Sequence, residues 1–436
     1  MPTDLIFYVV DKAFRINRYW PKTPLGWNAT ANRFTYDNHH PLKFFRWYFT
    51  IFVLFTAVTT ANCGYVIYGH FVNPRPRLNL GHVAMYILVL LTMTLVTVLT
   101  IFILSYGDEI VNLINKQLKI YEEVNVLENK KTNAFKDKRK KPGLMGMFNQ
   151  VCVIFGILSI RLPSGRLDIS GNFIAVTTTC YAMGPVSVLI RLDVFQFVIS
   201  DIFDAIGILE DEIIPKIFSL SMRLLIVLVF FVEVQRMLPM LVYFLVIPAH
   251  AAIRCIKILL SHAKEVGRTD SKNLTLDLIH NYKKLQIMIN MGYGITASGI
   301  FVLMTIGLQL SAGFNFTTIR FNGSSMNPIF YAIFPFCATM TMFMIQILLP
   351  VGVGINTTSV ESLALMKVAA AKGDCRKNKY VWKTLGAMRE MKMYAGVFHT
   401  YFFNLDKTVM RTYISSIVDW TINLLLTFSA SSLSHM

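Results

Sequence analysis

Five stretches of this chain are apolar with scarcely an interruption: Phe45–Phe71, His82–Tyr106, Ile287–Phe314, Pro328–Gly354 and Thr412–Phe428. Each approaches or exceeds the roughly 20 residues that carry an α-helix across a bilayer, so each predicts a spanning helix. Four further apolar runs lie between the second and third of these: Gly143–Ile160, Phe173–Ile199, Ile217–Val232 and Leu238–Leu260. The last two, with Glu233, Arg236 and Pro239 near their junction, read equally well as one long helix buried in protein. Alternating strands of about ten residues, the mark of a membrane barrel, are absent from the sequence.

The segments between spans keep a helical pattern. In LTLDLIHNYKKLQIMINMGYG, residues Leu274, Leu278, Tyr282, Leu285 and Ile289 share one face at three- and four-residue steps. That helix is expected to run unbroken into the Ile287–Phe314 span, and DEIVNLINKQLKIYEEVNVL after the second span behaves similarly. Together they predict a helical layer beside the membrane. No repeat or low-complexity linker divides the chain. One domain is expected over 1–436: an N-terminal segment over 1–44, six helices with their extensions over 45–360, and a re-entry followed by the last helix over 361–428.

Composition agrees with this pattern. The 436 residues are 54% hydrophobic and only 15% charged, with mean hydropathy +0.51, and a soluble chain of this length needs more polar surface. The class is an all-α polytopic membrane protein. The net charge of +17 reads as cytoplasmic loops facing anionic membrane lipid, not as a nucleic-acid surface. Basic residues cluster before the first span (Lys12, Arg15, Arg18, Lys22, Arg33, Lys43), at NKKTNAFKDKRKK after the second, and between the last two spans (Lys367 to Lys392). Placing all three clusters in the cytoplasm puts the N-terminus inside. It also makes two or four of the middle runs cross, for seven or nine spans with the C-terminus outside. The sequons at Asn315 and Asn322 then fall on the outer side, where glycosylation occurs. No cleavable signal peptide is visible.

The chemistry of most functional classes is missing. The six cysteines are scattered without metal or disulfide spacing, and no nucleotide loop or catalytic constellation is legible. No enzyme, cofactor or metal is expected. Asn327-Pro-Ile-Phe-Tyr331 matches a motif of G-protein-coupled receptors, but here it opens a helix with about a hundred residues still to follow. Proline in a first helical turn is its simpler reading.

The last helix carries the one informative pattern. At about 100° per residue, Thr412, Ser415, Ser416, Asp419, Asn423 and Thr427 share roughly a third of the circumference, with Leu426 among them. Tyr413, Ile414, Ile417, Trp420, Leu424 and Leu425 form the other side, interrupted by Thr421. An ionisable residue within a span marks a functional site by default. Two readings stand. The stripe packs on neighbouring helices of the same chain, or it lines a pore repeated around a symmetric oligomer. A multispan transporter with the stripe along a path within one chain is the alternative to a channel, and a G-protein-coupled receptor a more distant one.

The segment LIHNYKKLQIMINMGYG entering a long span, and FFNLDKTVMRTYISSIV over Phe402–Val418, resemble the corresponding parts of arthropod gustatory receptors. In that family an I-S-S-I-V-like run is followed by the signature TYhhhhhQF. In register, its Thr-Tyr positions are held here by Asp419-Trp420 and its Gln-Phe positions by Leu426-Thr427, so this sequence is a divergent relative. The earlier Thr412-Tyr413 pair lies outside that register. The resemblance implies seven helices and a homo- or hetero-tetrameric, ligand-gated, non-selective cation channel in the plasma membrane of sensory neurons. The last helix of each subunit would line the pore, and a small-molecule tastant would enter from outside. On that reading Thr177, Tyr181, Gln309 and Tyr331 are the expected polar groups of the ligand pocket.

Overall fold

The computed structural model describes residues 10–11, 14–15, 17, 20–37, 41–72, 80–132, 188, 195–206, 213–269, 272–322, 328–372, 379–397 and 400–428. Its framework is helical, as the hydropathy pattern requires. The elements are β1 (Leu25–Asn28), β2 (Arg33–Tyr36), α1 (Leu42–Val72), α2 (Leu80–Thr132), α3 (Gln196–Ile206), α4 (Ile213–Thr269), α5 (Lys272–Met291), α6 (Tyr293–Arg320), α7 (Pro328–Lys372), α8 (Lys379–Ala387), β3 (Tyr394–Val397), β4 (Thr400–Asn404) and α9 (Lys407–Thr427).

Five of the described helices are long and apolar enough to cross a membrane: Leu42–Val72, Gly81–Val124, Ile214–Val234, Tyr293–Arg320 and Phe330–Ala371. α9 holds the Thr412–Phe428 span of the sequence, the last of the seven expected helices, its hydropathy lowered by its polar stripe. The two runs flanking Glu233 are one continuous helix, α4, so they supply a single crossing. Gly143–Ile160 and most of Phe173–Ile199, two of the four middle runs whose crossing the sequence left open, lie outside the described residues.

Why α4 does not break is visible at its centre. Arg236 Nη1 donates to Glu233 Oε1 at 2.8 Å, both side chains essentially inaccessible, and Arg236 Nη2 donates to the carbonyl of Pro21 at 2.7 Å. A charge is tolerable in an apolar interior only when paired and hydrogen-bonded. The pair is one turn apart, so continuing the helix is what satisfies it.

At this end of the bundle, called the base below, the antiparallel hairpin β1–β2 pairs Leu25 with Tyr36 and Asn28 with Arg33. It docks on α2 through Asn115, whose amide nitrogen donates to Phe34 O at 2.8 Å while its oxygen accepts from Phe34 N at 3.1 Å. A side-chain amide thus takes the place of a third strand. Phe34 fills the space below, edge-on to Trp27 at 4.8 Å and tilted against Phe244 of α4 at 5.5 Å.

The main core lies in this basal half, joining β1–β2, α1, α2, α4, α5, α7 and α8. Leu278, Tyr282, Leu285 and Ile289 of α5 are all buried in it, the face the periodicity marks out. The expected unbroken entry into the next span is interrupted once, at Gly292, before α6 begins at Tyr293. Smaller apolar clusters hold the opposite, apical half. The second hairpin, β3–β4, was not legible in the periodicity. It is four and five residues long with a register irregularity at Ala395/Gly396, too short for an alternation to stand out.

Candidate pore helix and ligand site

α9 begins with a side-chain cap. Asp406, in extended backbone, accepts from Val409 N at 2.8 Å through Oδ1, satisfying one of the amides a helix leaves unpaired at its start. The Leu405-Asp406-Lys407-Thr408 cluster of the sequence is therefore a helix start. Leu405, buried, sits directly before the cap.

One face of α9 packs on the rest of the chain. Tyr413, Ile417 and Thr421 are buried, and Tyr413 Oη donates to Met304 O of α6 at 2.8 Å. Gly307, one turn above Met304, makes room: a Cβ there would lie 3.1 Å from the tyrosine hydroxyl. The Thr-Tyr pair outside the signature register thus fastens the helix. Thr421, the apparent exception on the apolar side, returns its hydroxyl to Ile417 O at 2.8 Å and so is buried without an orphan donor.

The opposite face carries the stripe. Thr412, Ser415, Asp419, Asn423, Leu426 and Thr427 are exposed in the single chain, and Ser416 is half-buried. Among the described residues, this face is turned away from the contact line that Tyr413, Ile417 and Thr421 make. Three of its hydroxyls spend their protons on the helix itself, Thr412 on Thr408 O at 3.1 Å, Ser416 on Thr412 O at 2.9 Å and Thr427 on Asn423 O at 2.8 Å. Their lone pairs, the Asp419 carboxylate and the Asn423 amide then present a line of oxygen acceptors, chemistry suited to cations. Apolar side chains flank it: Val418, Ile422 and Leu426 on one side, Trp420 on the other, with Leu426 72% exposed. Trp420, placed by the wheel on the packed side, is half exposed because Tyr413 and Ile417 set the contact line elsewhere.

Two of the four expected pocket residues are described. Thr177 and Tyr181 lie outside the described residues. Gln309 is half-buried in α6, and Tyr331 of α7 donates to Thr318 O at 2.9 Å. Thr318 is nine residues beyond Gln309, roughly 13 Å along the helix, so Tyr331 and Gln309 do not meet. An aromatic cluster that the sequence reading missed lies beside Tyr331. His82 of α2 stacks on Phe330 of α7 (centroids 5.1 Å apart) and meets Phe197 of α3 edge-on at 5.7 Å, and Phe330 meets Phe334 edge-on at 5.5 Å. Among 33 phenylalanines, no spacing singles these out. Of the sequons, Asn322 is exposed in the turn that follows α6, whereas Asn315 lies within the helix, which continues to Arg320.

No family model and no curated protein matches the sequence. Solved structures do. The insect olfactory receptor OR5 from Machilis hrabei in complex with eugenol superposes with a TM-score of 0.56 at 9% identity, over 98% of this chain and 100% of that one. The same receptor in a second structure gives 0.58 at 10% identity, over 97% and 99%. At these identities the likeness is one of fold, and it extends over both chains from end to end.

Proposed function

We propose, from a fold shared with an insect olfactory receptor, that this chain is an insect-type chemoreceptor working as a ligand-gated, non-selective cation channel. Four subunits, identical or related, place α9 around a common axis, and the base of the bundle forms the cytoplasmic layer that holds them together. The observation that carries this reading is the outward-facing polar stripe of α9. A transporter would need the stripe along a path inside one chain, and it faces away from that chain. One α9 cannot enclose a pore, so the stripe's partner is the same stripe on another subunit.

Within the chemoreceptors, the Phe402–Val418 and Leu278–Gly294 resemblances favour a gustatory role in the plasma membrane of sensory neurons, with a small tastant binding from outside. Thr177, Tyr181, Gln309 and Tyr331 remain the proposed pocket polar groups, with the His82–Phe330 aromatic cluster added as an apolar wall. Ligand binding opens the gate to the extent that the open state binds it more tightly. Asn322, exposed in its turn, is the better placed of the two proposed glycan acceptors.

The test is stoichiometry and conduction together. Purified protein is expected as particles of four chains, passing cation current in planar bilayers. Cells expressing it are screened for calcium influx with sugars, bitter compounds and odorants, starting with eugenol, the ligand of the Machilis hrabei complex. A monomeric particle, or tetramers without cation current under any screened compound, overturns the proposal.

A further inference from the structure

α9 is reached through a linker, 388–393, and the hairpin β3–β4, and the linker hangs on two other helices by side chains that grip its backbone. Tyr282 and Gln286 of α5 both donate to Arg389 O, at 3.3 and 3.0 Å. Burial raises the Tyr282 phenol above its ordinary range, so it stays a donor. Ser359 of α7, wholly buried, accepts from Met391 N at 3.1 Å, and its proton lies within reach of Met391 O at 3.1 Å and Asn356 O at 2.9 Å. A hydroxyl that brackets the N–H and C=O of one residue does the work of a facing strand.

The same stretch of α7 touches the far end of the hairpin. A Cβ at Gly352 would come 2.7 Å from Leu405 Cδ1, so a larger residue there makes the tip of that leucine shift from its seat. Leu405 immediately precedes the cap of α9, and its amide donates to Met393 O at 2.8 Å. α7 therefore grips the linker–hairpin unit at entry, Met391, and at exit, Leu405. Gly352 and Ser359 are seven residues apart, roughly 10 Å of helix. At its other end α7 carries Phe330 of the aromatic cluster, and Pro335 and Pro350 interrupt its backbone bonding in between.

We infer that the Ser359–Met391 and Gly352–Leu405 contacts are the joint by which α7 sets the position of α9, with Ser359 a positioning residue for the pore helix. Bending of α7 at its prolines is delivered to the base of α9 because side chains of Tyr282, Gln286 and Ser359 all hold the linker backbone. The gating consequence rests on the channel reading. The joint itself does not.

Hydrogen exchange on the purified full chain in lipid nanodiscs tests the joint, comparing wild type with Ser359→Ala, Ser359→Thr and Gly352→Ala. In Ser359→Ala, amides over 389–393 and those of Val409 and Met410 at the base of α9 are expected to exchange at least tenfold faster, with the upper turns of α9 unchanged. Ser359→Thr, which keeps the hydroxyl, should match wild type. Gly352→Ala should loosen Val409 and Met410 while acting only through Leu405, and it decides the question if Ser359→Ala does not fold. Acceleration confined to 389–393, or none, overturns the joint. Single-channel recording without added ligand then reads gating: Ser359→Ala should change resting open probability several-fold at unchanged unitary conductance. A conducting wild type with unchanged open probability in the variant overturns the gating role. A wild type that conducts nothing overturns the channel reading, and the exchange result still decides the joint.

Discussion

Tyr413 of α9 donates its hydroxyl to the carbonyl of Met304 in α6 across 2.8 Å, and this contact fixes the rotation of the last helix. Its ring is buried with Ile417 and Thr421 above it, so the face about half a turn away, with Asp419 near its centre, looks outward. A shift of register by one residue would turn the stripe by about 100° and bury part of it against α6.

Replacing Tyr413 by phenylalanine keeps the packing and removes the hydrogen bond. A loss of about 1 kcal/mol in thermal unfolding is expected, and alanine, which also leaves a cavity, should cost about 3–5 kcal/mol. Equal losses for the two variants would mean that the hydroxyl, not the ring, fixes the helix.

Asp419→Asn removes a charge from the exposed stripe. Surface expression and melting temperature should be unchanged, while unitary cation current falls and block by external divalent ions weakens. Bilayer recordings with identical conductance and block in both proteins would place Asp419 outside the ion path.

Asp406 caps α9 with one side-chain bond to Val409 N. Asp406→Ala should cost about 1 kcal/mol, and Asp406→Ser or Asp406→Asn, both good caps, only a fraction of that. Chemical denaturation of the three variants measures the ranking, and a serine as damaging as alanine would contradict a capping role.

The Glu233–Arg236 pair is buried on both sides. Glu233→Gln or Arg236→Met alone strands a charge in the interior and should cost about 3–5 kcal/mol, seen as poor expression and early melting. The double replacement by leucine and methionine should recover most of the loss. A double variant worse than either single would show that the Arg236 bond to Pro21 matters more than the ion pair.

Much of the architecture was legible because it is written locally. Hydropathy marked the spans, periodicity picked out Leu278, Tyr282, Leu285 and Ile289 on the buried face of α5, Leu274 lying outside the described side chains, and Pro328 does open α7. The stripe of α9 was visible as a pattern of residue types. The joining of Ile217–Val232 to Leu238–Leu260 was left open because a charged pair within a run reads as a break until its partners are known. The aromatic cluster at His82 was hidden, since its members come from three helices far apart in sequence.

The sequence by itself determined that this is a helical membrane protein and that its last helix has a polar side; it opened that helix at Thr412, five residues after the start that Asp406 caps. These follow from composition and from steps of one to four residues, which act within a single segment. Only the tertiary structure decided which way the stripe faces, that Arg236 is satisfied by Pro21, and that Ser359 and Gly352 of α7 meet Met391 and Leu405 ahead of α9. Those contacts join residues tens to hundreds of positions apart, and their energy comes from filling space and pairing backbone groups between segments. A pattern confined to one segment carries no record of its neighbour.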